Sequence, residues 1–476
     1  MSITSSMRAL AAGCLALATT VALIPAAEAA TPRCLGRRAT IVGTARGDVI
    51  TGTRHADVIV ARGGSDEILG RGGNDRICAG RGRDEAVGGG GNDNLSGGGG
   101  QDVLAGQGGG DRLLGRGGSD ALFGGVGDDV LIVGPGFFQF MAPSGGNDEA
   151  RGNANPDFVS YFDSNTAVNV NLASGLATGA GNDTLVNIDG AEGSFFNDTL
   201  AGSTGSNFLF GLDGNDTIES GGNAGDLSSP NVVLEERFDF VAGDAGDDTL
   251  TGGAGLNVVA HDLSPAAVDV DLQTGQATGD GTDTLSGIQA VIGTQFADTL
   301  RGDSGDNLFE PEGGADTIDG RAGSDTLGLI DAVSGNVDLG TSSATTIYRP
   351  FDPETDEPGS PITSTVSLAG IENVWGSEGN DVLRGDAAAN RLFGFLGSDQ
   401  IFGLAGDDYL DGGPEFDPAE TNTIDGGDGT DTCLNGTSTN CEPNQISGAR
   451  ATTARAPRLA AWWTVQRALA LRWFMN

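Results

Sequence analysis

Ten aspartates stand at strict nine-residue intervals: Asp48, Asp57, Asp66, Asp75, Asp84, Asp93, Asp102, Asp111, Asp120 and Asp129. A carboxylate is a hard, anionic oxygen donor. A row of them at fixed spacing either solvates a surface or holds cations. Glycines fill the stretch before each aspartate, as in GRGGNDRIC (70–78) and GGGGNDNLS (88–96). Such turns admit left-handed backbone angles and expose carbonyl oxygens. An aliphatic residue usually follows two places later: Ile50, Ile59, Ile68, Ile77, Leu95, Leu104, Leu113, Leu122 and Leu131, with Ala86 the undersized member.

That spacing dictates the elements that carry the aspartates. A fixed short period means a solenoid. The x-D-x-U segment is a short strand whose aliphatic side chain points inward. Two nine-residue units make one coil, so residues eighteen apart stack on one edge. Asp66 then lies over Asp48, and Asp75 over Asp57. Two carboxylates plus turn carbonyls form an all-oxygen cage. It suits calcium better than magnesium, which demands a rigid octahedron and keeps its waters. No Cys or His recurs in the turns, which disfavours soft metals. The periodicity favours stacked cation sites over a merely solvated face.

The pattern resembles the RTX family, the hemolysin-type calcium-binding nonapeptide repeat GGxGxDxUx. The resemblance implies an all-β, right-handed parallel β-roll with multiple Ca2+ ions between successive turns along both edges. Ten units allow at most eight aspartate pairs eighteen apart in this block. The first two units depart from the pattern. GTARGD (43–48) and GTRHAD (52–57) carry Arg46 and His55 where the glycine before the aspartate belongs, so that end reads as a cap. The resemblance covers the calcium module alone. Every basic residue is arginine, so the lysine acylation that RTX toxins need has no acceptor. The H-E-x-x-H of RTX-linked zinc proteases and the G-x-S-x-G of RTX-linked lipases are both missing from the sequence.

The period returns in shorter blocks. These supply Asp198, Asp216, Asp248, Asp298, Asp316, Asp325, Asp381, Asp399 and Asp408 as further candidate metal ligands. Asp239 and Asp431 keep the same spacing, and Asn207, Asn257, Asn307, Asn390 and Asn422 occupy the aspartate slot. Asn keeps an oxygen but loses the charge, so those sites are expected to be weaker or structural. A longer repeat surrounds the blocks. VNVNLASGLATGAGNDTL (168–185) matches VDVDLQTGQATGDGTDTL (268–285) at an offset of one hundred, and a degenerate copy aligns Ile371 with Ile188 and Asp381 with Asp198. Each copy opens with period-two alternation, which reads as strand. The expected division is a signal peptide at 1–30, an N-terminal roll at 31–134, and β modules with repeat blocks at 135–222, 223–331 and 332–444. A basic tail follows at 445–476. The proline- and acid-bearing stretch 341–363 reads as a surface loop or linker, and 133–147 and 220–238 as insertions.

Composition bounds the function. The 82 glycines would argue for disorder in a chain without a period. A net charge of −41 excludes nucleic acid as a partner. Arg8, an apolar run from Ala9 to Ala27 and the sequence AAEAA (26–30) read as an export signal with an A-x-A cleavage site. Four further cysteines suggest disulfides in an oxidising compartment. Four cysteines allow three connectivities, of which Cys34–Cys78 and Cys433–Cys441, one clamp at each end, is favoured. The tail holds Trp462, Trp463 and Trp473 with five arginines and no acid, and it is the one segment suited to membrane contact. No catalytic constellation emerges. The two histidines, His55 and His261, read as structural, and the acid pairs Asp128–Asp129 and Asp247–Asp248 each contain a register aspartate. The expected function is a secreted calcium-binding repeat protein, a surface, matrix or adhesive scaffold meeting cell-surface or matrix polymers. The alternatives are a calcium-dependent extracellular enzyme acting on polysaccharide and a membrane-active protein.

Overall fold

The computed structural model describes residues 31–136, 138–223, 225, 227, 238–349, 351–352, 357–413 and 421–442. The expected signal peptide and the basic tail lie outside the described residues. Each nine-residue unit contributes one strand and one turn, and successive strands alternate between two parallel sheets. Glu67–Gly72 and Glu85–Gly90 lie in the first sheet, and Arg76–Arg81 and Asn94–Gly99 in the second. The register is eighteen residues: Glu67 pairs with Glu85, and Ile59 with Ile77. The chain is a parallel β-roll, and the one helical turn among the described residues is the 3-10 segment Leu339–Thr341. Pairing runs unbroken through both sheets, from Val49–Thr51 to Thr432–Leu434 in the first and from Ile41–Val42 to Thr437–Thr439 in the second.

The inward aliphatic ladder holds the coils together. Ile59, Ile68, Ile77, Leu95, Leu104, Leu113, Leu122 and Leu131 are buried, and the same core continues to Ile424 and Cys433. Each such side chain contributes about 1.5–3 kcal/mol on burial. A second apolar ridge lines the outer face of the first sheet, because alternate residues of a strand face opposite ways. Phe140 and Phe158 point out where Met141 and Val159 point into the core. Phe140, Phe158, Phe210 and Phe240 follow one another with ring centroids 6.2, 5.7 and 5.4 Å apart.

The long repeat is a coil bearing a three-stranded antiparallel meander in the second sheet. Asn169–Asn171, Leu176–Thr178 and Asn182–Val186 form the first meander, and Asp269–Asp271, Gln276–Thr278 and Thr282–Ser286 the second. Ser334–Asp338, Ser343–Tyr348 and Ile362–Ala369 form the third. The stretch 341–363 is therefore no simple linker. Its Ala344, Thr346 and Tyr348 alternate inward and are buried, and that period-two pattern outweighs the prolines and acids. Within 133–147, Gln139–Gly145 is a regular strand of the first sheet, and its coil holds one extra residue: Ala121 pairs with Phe140, nineteen positions on. Disulfides join Cys34 to Cys78 and Cys433 to Cys441.

The stacking depends on bare backbone at one corner of each coil. Gly82 has φ +129°, and a Cβ there would strike the carbonyl oxygen of Gly64 in the coil below. A Cβ on Gly90, one residue earlier in its repeat, would meet nothing within 4 Å. Gly82→Ala is expected to cost about 1–3 kcal/mol and Gly90→Ala no more than about 0.5 kcal/mol, read from urea denaturation in calcium.

Candidate metal sites along the roll

The register aspartates are buried at the corners. The eight from Asp66 to Asp129 are at most 3% exposed, which excludes a solvating role. Each is tied to the coil before it. The backbone N–H of Asp48 donates to Asp66 Oδ1 (2.8 Å), and that of Asp57 to Asp75 Oδ1 (2.7 Å). The same bond recurs at eighteen residues up one edge through Asp84, Asp102 and Asp120, and up the other through Asp93, Asp111 and Asp129. It then absorbs the longer coils, from Asp129 to Asp148 and from Asp148 to Asp183.

That bond satisfies one carboxylate oxygen and leaves the other. In Asp66, Asp75, Asp84, Asp93, Asp102, Asp111, Asp120 and Asp129, Oδ2 is buried and accepts no hydrogen bond from the protein. The same holds for Asp148, Asp216, Asp248, Asp316, Asp325, Asp408 and Asp431. A buried anion without compensation costs several kcal/mol, so each such oxygen calls for a proton or a cation. The surrounding space fits a cation. A Cβ placed on Gly70 would lie 2.5 Å from both Asp75 Oδ2 and the Gly88 carbonyl oxygen, and one on Gly124 would lie 2.6 Å from both Asp129 Oδ2 and the Pro143 carbonyl oxygen. Carboxylate and carbonyl thus converge where glycine leaves room. The donors are all oxygen and partly anionic, the set that calcium takes.

A second kind of turn closes the carboxylate internally. At Asp48, Asp57, Asp298 and Asp381, the amide N–H four residues earlier donates to Oδ2, from Thr44 (2.6 Å), Thr53 (2.7 Å), Thr294 (2.6 Å) and Ser377 (2.6 Å). Ser194 does the same for Asp198. The hydroxyls of all five donate to the carboxylate as well. In several turns of the first kind the residue four places earlier is left-handed, with φ 87° at Arg62, 82° at Arg71, 76° at Gln107 and 86° at Arg116. Their Oδ2 atoms go without the turn amide. The nineteen candidate ligands thus divide by local geometry, with Asp48, Asp57, Asp198, Asp298 and Asp381 in closed turns. Asp399 shares the register: it accepts the Asp381 amide at 3.0 Å and donates its own to Asn422 at 2.8 Å.

Asparagine in the slot fills the corner with its own hydrogens. Asn207 Nδ2 donates to the carbonyls of Gly205 (2.6 Å) and Ser220 (2.9 Å), and Asn422 Nδ2 to that of Gly412 (2.7 Å). Two aspartates of the first kind were not among the sequence candidates. Asp148 is displaced by the extra residue in its coil, which breaks the nine-residue count. Asp431 carries the spacing signal, nine residues after Asn422, in the short final block. The acid pairs belong to the framework, since Asp128 accepts the Asn147 amide (2.9 Å) and Asp247 the Thr282 amide (2.9 Å).

Burial raises the carboxyl groups well above their usual range. Asp120 is pushed up to about 6, Asp93, Asp102, Asp129, Asp248, Asp316 and Asp325 to about 7, and Asp148 and Asp216 to about 8. Except at Asp120, neighbouring carboxylates add to the effect of burial. The family model of the RTX calcium-binding nonapeptide repeat (4 copies) matches residues 42–137 in overlapping segments, then 192–227, 236–262, 292–327, 368–417 and 419–437, more than half of the chain. No curated protein matches it.

The raised values fix the sign of a pH dependence. Without a cation, the protonated carboxyl is the form that the fold favours. Its contribution is complete below the unfolded value near 4 and is lost as pH rises through about 7 to 8. In chelator the melting temperature is expected to be higher at pH 5 than at pH 8. In millimolar calcium the order reverses, because the ligand must be deprotonated. Scanning calorimetry at both pH values checks this; pH-independent melting in chelator would mean that these carboxylates are solvated.

Proposed function

This chain belongs to the RTX calcium-binding nonapeptide repeat family and is a calcium-binding repeat protein, and from that premise we propose that it is a secreted scaffold that folds on calcium. The row of buried Oδ2 atoms without protein donors carries the reading. The proposed ligands are the aspartates of the first turn kind, each with the carbonyls of its own and the adjoining coil. Asp399 is placed with them by register. The five closed-turn aspartates are proposed as structural equivalents that replace the ion with an amide and a hydroxyl.

The magnitudes suit a switch at the cell boundary. Extracellular calcium modules bind at roughly 10⁻⁴ to 10⁻³ M. At about 1 mM calcium and about 10⁻⁴ M affinity, one site contributes about 1.4 kcal/mol. Eight independent sites give on the order of 11 kcal/mol, comparable with the whole stability of an ordinary domain. Export is supported by the apolar leader with its A-x-A end and by two disulfides, which persist in oxidising compartments. The proposed role outside the cell is a surface, matrix or adhesive one. Its long β surface meets polymers rather than nucleic acid, which the charge of −41 repels.

Calorimetric calcium titration of the chelator-stripped chain, followed by circular dichroism, tests the reading. Cooperative uptake of several ions with a gain of β signal is expected. No uptake at millimolar calcium would overturn it. Two substitutions separate the turn kinds. Asp102→Asn retains the register oxygen but presents amide hydrogens to the turn carbonyls, and it is expected to lower the number of ions bound. Asp198→Asn is expected to leave that number unchanged.

A further inference from the structure

One cluster among the described residues combines a nitrogen donor with carboxylates. Donor atoms of His261, Asp280 and Asp283 all lie within 4.8 Å of one another. The His261 side chain is 4% exposed and that of Asp280 6%. His261 Nε2 and Asp280 Oδ1 are both buried without a hydrogen-bond partner. His261 Nδ1 stands 3.9 Å from Asp280 Oδ1, too far for a hydrogen bond. Asp283 is fixed from the other side by the Asp248 amide, 3.0 Å from its Oδ1.

The same corner occurs three times in the roll, with three chemistries. The backbone N–H of Tyr161, His261 and Leu329 donates to the carbonyl of Glu192, Ile292 and Trp375 respectively, which establishes the equivalence. In the first copy Tyr161 Oη donates to Asp183 Oδ2 at 2.9 Å, and residue 180 is alanine. The hydroxyl and the carboxylate satisfy each other. In the third copy the facing residues are Leu329 and Val366, both buried and apolar. Ala177, Ala277 and Ala344 pair with Asp183, Asp283 and Val366 in the three meanders. Only the middle copy places an imidazole and a second carboxylate at the corner, and there His261 Nε2 and Asp280 Oδ1 both lack partners; in the third meander the atom without a partner is a neutral hydroxyl oxygen, that of Thr346. The first copy closes its corner within the protein, whereas the middle one leaves an imidazole nitrogen and a carboxylate oxygen open to a ligand.

We infer that His261, Asp280 and Asp283 form a binding site for a borderline divalent transition metal, with zinc as the best fit, chemically distinct from the all-oxygen calcium ladder. Imidazole nitrogen with carboxylate oxygen is a zinc donor set, whereas calcium takes six to eight oxygens. Donors at about 2.0–2.1 Å from a tetrahedral ion lie about 3.4 Å apart. Closing the 3.9 Å separation of His261 and Asp280 therefore needs a shift of roughly half an ångström. Three protein donors leave a fourth position for water.

The test uses the untagged chain saturated with calcium, with Co2+ as the spectroscopic probe and Zn2+ as competitor. One equivalent of Co2+ is expected to develop visible ligand-field absorption that Zn2+ abolishes. His261→Tyr reinstates the residue of the first copy. It is expected to fold, to keep its calcium uptake and circular dichroism, and to bind Co2+ at least about tenfold more weakly. Asp280→Ala, again the residue of the first copy, is expected to weaken Co2+ in the same way. The chain has one other histidine, His55, exposed in the first coils. Absence of Co2+ absorption, or equal binding by His261→Tyr, would overturn the site and leave a buried His–Asp pair. Either result stands apart from the calcium titration, which reads the register aspartates.

Discussion

The hydrogen bond from the amide of a register aspartate to a side-chain oxygen one coil further on, in most coils a carboxylate oxygen, governs this molecule. It sets the height of every coil, fixes which residues stack, and draws a charged group into the interior. A carboxylate has two oxygens, and the register uses only one of them. The second is left in a dry corner beside backbone carbonyls, where its charge must be answered. Architecture and ion chemistry therefore share one residue, and neither can be altered without the other.

Backbone approach is the second constraint. Two residues before each aspartate of the open turns, glycine passes directly over the coil below, and Gly82 shows why no side chain fits there. Four residues before, the chain is also left-handed at Arg62, Arg71 and Gln107, yet side chains are accepted because they project outward. At Thr44, Thr53, Ser194, Thr294 and Ser377 the turn changes. The amide and hydroxyl of that residue fold back on the carboxylate, as those of Thr294 do on Asp298. Residue type at that place does not decide alone: Ser144, four residues before Asp148, is left-handed with φ 69°, and its turn stays open.

Most of the architecture was legible in the sequence because a solenoid writes its register as a period. The eighteen-residue stacking, the inward ladder from Ile59 to Leu131 and the hundred-residue copies follow from counting. What was not legible depends on contacts rather than spacing. The division of the aspartates turns on where the amides of Thr44 or Ser377 point. Asp148 escaped because one added residue broke the count while pairing continued. The strand Ser343–Tyr348 was hidden by nearby prolines and acids. His261 read as a lone structural histidine because Asp280 and Asp283 lie nineteen and twenty-two residues away, and only the coil brings them together.

The unbroken pairing has a mechanical consequence. Strands lie across the long axis of the roll, so their hydrogen bonds run along it. Tension between the two ends loads those bonds one coil at a time, in the manner of a zip, and lengthens the chain in small increments. The Cys34–Cys78 bond encloses the first coils in a loop that tension cannot extend. Peeling at that end is arrested, and the extensible part of the roll begins beyond it.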